Sequence, residues 1–586
     1  MSQAAPELRK SGIYALIDLA GAPLDRGAAE ALGLAVPLEP GAALGEAVDP
    51  RCPDAVQRTA DPHRLTVLAG LIDRSAELAA RLGLAPDTAV IPLVRAALVR
   101  FGSELPAEML GEWALFDWQR ETGVTVALSP AHRDPVLYAL SGSRLAVAPD
   151  IYRLGRIDWI GSEIDPAGLL FAIARADLRE HGEGMTMNPR VRQLAPGTML
   201  SISPGTTMRI AVANCLPAVE PFRGNFGEAL ERTEAILRDS LRSRLGRTAK
   251  PALLLSGGLD SSLLAWLAAE ELPTGQMVAL TSIAPPGSGL PDERKFAEIV
   301  AQALGFELVE VAPSAELETF RPTPTILAGH NAPPMGNRHC ITASFQSAAD
   351  AQGASLLVNG TYGELTATLR LGGNPALARL RRIAGALRRQ LRSQGEAPRP
   401  FHVRLAPHLA AGLPEQIREA MAAPAPPQPY PQDQALWGYH PGARKALGHA
   451  NEFHAGALRM EFPFRDLRLL RFFASLPRDL LREPKFDRSP ARALLAGHLP
   501  DSIRLRTSGM PAVPDHLVRM QRQAPAARTR RAAWLHAGAG EWLDLDWLDG
   551  ALARIAEHGA TNHADANQVQ LTAMAAEYWV WLHGQR

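Results

Sequence analysis

PALLLSGGLDSSLLAWLAAE (251–270) decides the fold of the larger half of this chain. Its first residues, Pro251 to Ser256, form a short, continuously apolar run of strand length, and from Leu259 onward the apolar residues fall at helical spacing. Between them lies Ser256-Gly257-Gly258. Two glycines permit a tight turn whose backbone comes close to a ligand. The helix start behind it offers free N–H groups and a positive dipole end to an anion. Hydroxyls at Ser256, Ser261 and Ser262 add donors, so the loop reads as a phosphate cradle. It lacks the Gly-Lys-Ser/Thr of a Walker loop and is not the G-x-G-x-x-G of dinucleotide folds. A glycine turn without a ligand is the competing reading; the strand-to-helix context weighs against it.

The pattern continues on both sides. MVALTSI (277–283) and FELVEV (306–311) are further apolar runs, DERKFAEIVAQALG (292–305) is an amphipathic helix, and ASLLVNG (354–360) is a later strand. Strands alternating with helices through short connections mean a parallel α/β sheet. From about residue 400 the reading is mostly helical, clearest in RDLRLLRFFASL (465–476) and SPARALLAGHL (489–499). Upstream the texture differs. SGIYALIDLAG, HRLTVLAGLID, GEWALFDW, GVTVALS, PVLYAL, SRLAVAP and PGTMLSIS are strand-like segments bounded by turn residues, with helical periodicity at 74–82 and 87–102. That mixture predicts an α+β domain over 1–215, followed by an α/β parallel-sheet domain with a helical C-terminal part over 216–586. The Pro-containing stretch 214–225 marks the boundary.

Composition narrows the function. Lys plus Arg total 61 and Asp plus Glu total 61, so no overall field draws the chain to nucleic acid or an anionic membrane. Cys52, Cys215 and Cys340 stand far apart, which excludes a disulfide scaffold and a zinc-ligand spacing and points to a reducing cytoplasm. No apolar run has the length of a membrane-spanning helix. Only Lys10, Lys250, Lys295, Lys445 and Lys485 stand against 56 arginines. Residues 365–395 hold no Asp or Glu but seven arginines, either a docking helix for an acidic partner or an exposed basic helix with no dedicated ligand.

SGGLDSS resembles the pyrophosphate loop of the asparagine synthetase family of ATP pyrophosphatases, an adenine nucleotide α-hydrolase-like fold. The resemblance implies that Ser256, Gly257, Gly258, Leu259, Asp260, Ser261 and Ser262 bind ATP, and that a substrate carboxylate attacks the α-phosphate to give an acyl-adenylate. Asp260 would be a ligand of Mg²⁺, a task suited to a hard carboxylate beside phosphate oxygens. The family's second acid follows a later strand, and here Asn359-Gly360-Thr361-Tyr362-Gly363-Glu364 places Glu364 at that position, with Gly360 against the nucleotide. Thr361 falls where asparagine synthetases carry Glu and β-lactam synthetases carry Tyr, a candidate catalytic position. Asp292-Glu293, PFRD (463–466) and SLP (475–477) look like further landmarks. The family's catalytic lysine would fall at Ser508, so Arg506 and then Arg488 are the cations expected to take its electrostatic role, with Lys485 the nearest lysine.

By the same resemblance the first domain is glutaminase-like (Ntn-type) but degenerate. No Cys stands at Ser11-Gly12-Ile13, the glutamine-binding pattern reads Ala69-Gly70-Leu71, and its Arg-Asp reads Ser129-Pro130. The amine must then come from elsewhere, most economically from the substrate. Chain length, Asn359-Gly360-Thr361, Phe486-Asp487-Arg488 ahead of Arg492, and LAGHLP look like lasso peptide cyclases. This implies a cytoplasmic macrolactam synthetase that joins an Asp or Glu side chain of a ribosomal core peptide to its N-terminal amine. A leader peptidase and a leader-recognition protein would be its partners. The alternatives are a small-molecule amide or β-lactam synthetase and an inactive nucleotide- or peptide-binding scaffold.

Overall fold

The computed structural model describes residues 12–34, 42–47, 56–61, 63–175, 182, 184–213, 215, 220–273, 275–369, 400–423, 458–477, 480–481, 487–507, 509, 512–560 and 563–585. In the upstream part, eleven strands form two antiparallel sheets. One has the order β2 (Ala42–Ala47), β1 (Gly12–Asp18), β8 (Arg144–Ala148), β7 (Leu137–Ser141), β9 (Arg192–Gln193). The other runs β11 (Met208–Val212), β10 (Thr198–Ile202), β6 (Gly123–Leu128), β5 (Gly111–Gln119), β4 (Arg64–Ile72), β3 (Val56–Asp61). Alternate residues of each strand face opposite sides. Ile13, Ala15 and Ile17 of β1 therefore meet Phe116 and Val126 of the second sheet in a shared core. Tyr14 and Leu16 face outward onto the helices Arg26–Leu32 and Pro166–Ile173, while Leu68 and Trp113 pack under Val90–Phe101. The result is four layers: helix, sheet, sheet, helix.

Beyond residue 225 the sheet is parallel, in the order β14 (Glu307–Val311), β13 (Val278–Ser282), β12 (Pro251–Leu254), β15 (Leu356–Val358), β16 (Arg459–Glu461). Both faces are covered, which explains the unbroken apolar runs. Leu253, Ala279 and Val358 pack beneath the helices Phe226–Leu245 and Leu259–Glu271, and Ala252, Leu280 and Leu357 face His339–Ala351. Chain order leaves β12 leftward to β13 and β14, then returns rightward to β15 and β16. The switch point thus lies between β12 and β15, where ligand crevices form at the carboxyl ends of open α/β sheets.

Several expectations need correction. β2, β3 and β11 lie in stretches with no strand signal, and β16 lies in the part expected to be helical. Three residues, Arg459-Met460-Glu461, are too short for a period, and two of them are charged. Buried ion pairs explain their place. Arg133 donates to Glu112 and to the Met460 carbonyl, Arg459 pairs with Glu461, and Arg244 donates to Glu461 at 3.1 Å. Burial alone would raise the Glu461 carboxyl; the Arg459, Arg244 and Arg133 guanidiniums hold it down at about 2. At the end of the stretch expected as the boundary, Asn225 and Glu228 form a capping box on Phe226–Leu245. The cores are not divided there, because the helices after His516 pack on the first antiparallel sheet and its helices. The Tyr152 hydroxyl bonds the His330 carbonyl at 2.8 Å and meets the Tyr578 hydroxyl. Cys215 and Cys340 are buried. Among the described residues, no helix is long and apolar enough to cross a membrane. Ser11, Cys52, Lys485, Phe486, Ser508 and residues 370–399 of the arginine-rich segment lie outside the described residues.

Candidate nucleotide and carboxylate site

At the carboxyl ends of β12, β13 and β15 lies a cavity of about 430 Å³, within the ~300–1,000 Å³ usual for small-ligand sites. Ser256, Gly258, Asp260 and Ser261 line it from one side, Gly360, Thr361 and Glu364 from another, and Ser282 and Glu293 from a third. The turn that enters it is forced to be glycine at Gly257. Its φ is +66°, and a Cβ there would stand 2.5 Å from the Phe296 Cβ. Gly258 then starts Leu259–Glu271 with no side-chain cap, so the positive dipole end of that helix lies at the cavity. The Ser256 and Ser261 hydroxyls are spent within the loop. Ser256 Oγ accepts from the Gly258 N–H at 3.2 Å, while Ser261 Oγ accepts from the Ser256 N–H and donates to the Gly258 carbonyl, each at 3.2 Å. Two of the expected ligands turn away from the cavity. Leu259 packs in the core, and Ser262, fully buried with no partner for its Oγ, faces inward one turn beyond Gly258.

The second loop folds onto the first. A Cβ at Gly360 would lie 3.0 Å from the Ser261 nitrogen, and one at Gly363 would run into the Asp260 carboxylate, so only glycines let the two loops approach. Asn359 shapes the entry, its Oδ1 accepting from the Thr361 N–H at 2.9 Å and from Thr361 Oγ1 at 2.7 Å. Tyr362 follows in the left-handed region with φ +77°, an uncommon conformation for a bulky residue. Its ring packs against Phe462 and Arg465. That bend turns Gly363-Glu364 toward Asp260, whose Oδ1 accepts from the Thr368 hydroxyl. Glu364 is reached by solvent along the cavity wall, yet enough protein surrounds it that partial burial, then the neighbouring charge of Asp260, raises its carboxyl. Arg488 acts on it in the opposite sense. Asp260, Glu364, Thr361 and Gly360 thus line one cavity, with Arg488 in electrostatic range of Glu364. Among the described residues no three His, Cys, Asp or Glu side chains cluster as a self-sufficient metal site.

Arg506 sits behind the cradle rather than in the cavity. Its guanidinium pairs with Glu293, donates to the Gly257 carbonyl at 3.3 Å and lies 3.9 Å from the Phe296 ring centroid. Burial lowers its pKa, though an arginine remains charged at any ordinary pH. Arg492 fixes this corner from beneath, donating to the Asp487 carbonyl at 2.8 Å and the Arg506 carbonyl at 3.0 Å, and also to that of Arg504. Asp292 is structural: hydrogen bonds from Arg294 and from the Ala284 N–H hold its carboxyl at about 2. Sequence reasoning missed Arg338 and Thr342, which line the cavity from the start of His339–Ala351. That helix carries no glycine motif, and only the packing of its face on the sheet brings it there.

A glycine turn and helix start at the switch point of a parallel sheet, with Asp260 and Glu364 facing the same cavity, suit an anionic ligand such as a phosphate. The asparagine synthase family matches residues 232–581, more than half of the 586-residue chain, and the chain belongs to that family. It is thereby an ATP-dependent ligase that forms amide bonds. No individual curated protein matches it.

Proposed function

We propose that this ligase is a macrolactam synthetase of the lasso peptide cyclase type, joining an Asp or Glu side chain of a ribosomal core peptide to the peptide's own N-terminal amine. The observation that carries the reading is the pairing of an intact carboxylate and phosphate cavity with an upstream part whose glutaminase positions hold structural residues. Leu71 is buried within β4, and Ser129 Oγ accepts from the Trp113 N–H at 3.0 Å. On this reading an amine within the substrate, rather than ammonia from glutamine, completes the reaction. We read the upstream four-layer part as a degenerate Ntn-type glutaminase domain, and 216–586 as the synthetase domain.

The chemistry balances as a condensation. A carboxylate oxygen attacks the α-phosphorus of ATP and pyrophosphate leaves; the amine then attacks the activated carbonyl, loses a proton and displaces AMP. The backbone N–H groups at the start of Leu259–Glu271 bind the leaving phosphates. Asp260 and Glu364 fit a hard dication, because two mutually repelling carboxylates facing one cavity gain a shared counter-charge. Mg²⁺ held there would neutralise charge on the phosphate oxygens. Arg506 holds the Gly257 carbonyl and Glu293, keeping the turn in shape as charge develops, and Arg488 adds positive charge beside Glu364. Thr361 lines the same cavity, its hydroxyl donating to Asn359 Oδ1. An α-amine has an unperturbed pKa of ~7.7–8.0, so a usable fraction is neutral near neutral pH and no lysine base is needed. Holding amine and acyl group in attack geometry supplies ~7–11 kcal/mol.

Incubation with candidate precursor-derived peptides, ATP and Mg²⁺ tests the reading by mass spectrometry. Loss of one water from the peptide, with AMP and pyrophosphate released in equal amounts, is expected. ATP–pyrophosphate exchange with small amino acids but none with peptides would favour a small-molecule amide synthetase instead.

A further inference from the structure

A second cavity, of about 320 Å³, opens between the upstream sheet and the loop that precedes His339–Ala351. Leu137 and Phe171 form its floor, and Met185 and Met335 face it as half-exposed side chains. Its described lining includes no Asp, Glu, Lys or Arg, and its polar members are Thr186, Gln193, His330, Asn331 and His402. An uncharged, apolar side chain entering between Leu137, Phe171, Met185 and Met335 gains from burial. Thioethers suit an occupant of variable shape, since methionine adapts to irregular surfaces.

The position of this cavity matters as much as its lining. Gly336 lines it, and Arg338 lines the nucleotide cavity. Two peptide steps span at most ~7 Å, so the walls of the two cavities are parts of one short segment. That segment is held in place: Asn331 Nδ2 donates to the Pro149 carbonyl at 2.9 Å, Asn337 Nδ2 to Asn567 Oδ1 at 2.7 Å, and Gln570 Nε2 to the Asn337 carbonyl at 3.1 Å. An extended peptide advances ~3.3–3.6 Å per residue, so a substrate of several residues has the dimensions to engage two sites that share this segment.

We propose that the second cavity is a specificity pocket for an uncharged, apolar residue of the same peptide whose carboxylate is activated in the nucleotide cavity. This rests on the peptide-ligase reading above. Adenylation would then require both ends to be seated, and peptides would be selected by an apolar residue at a fixed offset from the reacting Asp or Glu.

The test uses full-length protein and a library of octapeptides with one Asp, the other positions drawn from Leu, Phe, Ser, Gln, Lys and Glu, and tandem mass spectrometry retains only products closed through the Asp. Peptides that lose water in the presence of ATP should be enriched in Leu or Phe at one offset from Asp. In Met335→Lys, and separately in Met185→Lys on the opposite wall, the preference at that offset should move to Glu by about tenfold, while Met335→Leu keeps the original preference. Absence of any offset preference, or a preference unchanged in both lysine variants, overturns the pocket and leaves the ligase reading standing. If no peptide is consumed, the peptide-ligase reading fails, and the pocket is judged by binding of the uncharged fluorophore N-phenyl-1-naphthylamine. Saturable binding in the native protein that weakens about tenfold in both lysine variants but not in Met335→Leu supports an apolar site. Equal binding in all four proteins, or none, overturns it.

Discussion

Two strand ends in this molecule invite comparison. At the carboxyl end of β4, Ala69-Gly70-Leu71 runs on as regular antiparallel ladder, with Gly70 opposite Trp113 and Leu71 opposite Glu112. Gly70 has φ +111°, and a Cβ on it would run into the Glu112 carbonyl, so its glycine serves strand packing. At the carboxyl end of β12, the strand breaks into Ser256-Gly257-Gly258, and the backbone polar groups of the turn and the helix start face a cavity. The same residue type does opposite work. In an antiparallel sheet every strand end is consumed by its neighbours and the chain can remain folded after losing a ligand. A parallel sheet has a switch point at which two neighbouring strand ends diverge, and the opening persists whatever lines it. Such an architecture keeps its site as long as the glycines and carboxylates remain.

The sharpest way to break that contrast is to remove the carboxylates. Asp260→Ala and Glu364→Ala should each lower ATP-dependent product formation by at least about a thousandfold while leaving far-UV circular dichroism and melting temperature close to the native values. Near-native turnover in either variant, read by mass spectrometry, would remove that residue from the site.

Replacing Arg506 sharpens the account of what supports the loop. Arg506→Ala should reduce kcat by about a hundredfold with little change in the KM for peptide, because it releases both Glu293 and the Gly257 carbonyl. Arg506→Lys, which keeps the charge but loses the fork, should recover only part of that rate. Full recovery by lysine would mean that charge alone matters; a change confined to KM would place Arg506 on the peptide.

A pH titration probes the packing behind the cavity. Burial holds the His339 imidazole down at about 4 against an ordinary value near 6.5, and its Nε2 lies 3.0 Å from the Glu318 carbonyl. With the folded pKa depressed, the unfolded chain binds the proton first. The contribution is therefore fully present above about pH 6.5 and is lost as pH falls toward 4. A shift of that size corresponds to roughly 3 kcal/mol. Denaturant midpoints should fall across that window in the native protein and fall less in His339→Leu; parallel curves would assign the acid sensitivity elsewhere.

The smallest effect on catalysis is expected in the upstream part. Ser129→Ala strips an acceptor from the buried Trp113 N–H and should lower stability by about 1–3 kcal/mol while leaving ATP-dependent turnover within error. Neither protein should release glutamate from glutamine above a no-enzyme control. Release that responds to Ser11→Ala would restore a glutaminase to this chain and with it an external nitrogen source.

Much of this was legible in the residues. The apolar runs at 251–256 and 277–283, the glycine turn and the helix after it identify a parallel sheet and a phosphate cradle, because strand and helix periods and the φ > 0 demand at Gly257 are local properties. The alignment of Glu364 with the family's second acid also needed no coordinates. Other features depended on distant segments. β16 is recruited by Arg133 and Arg244, which lie hundreds of residues upstream, and no three-residue pattern encodes that. Ser262 looked like a donor until the rotation of the helix turned it into the core. Arg506 looked like a free cation until Glu293 and Phe296 closed on it. Sequence determined the chemistry available at each position through backbone freedom, charge and period. Only the tertiary structure decided which of those groups face the cavity, because burial and ion pairing are set by segments far apart in the chain.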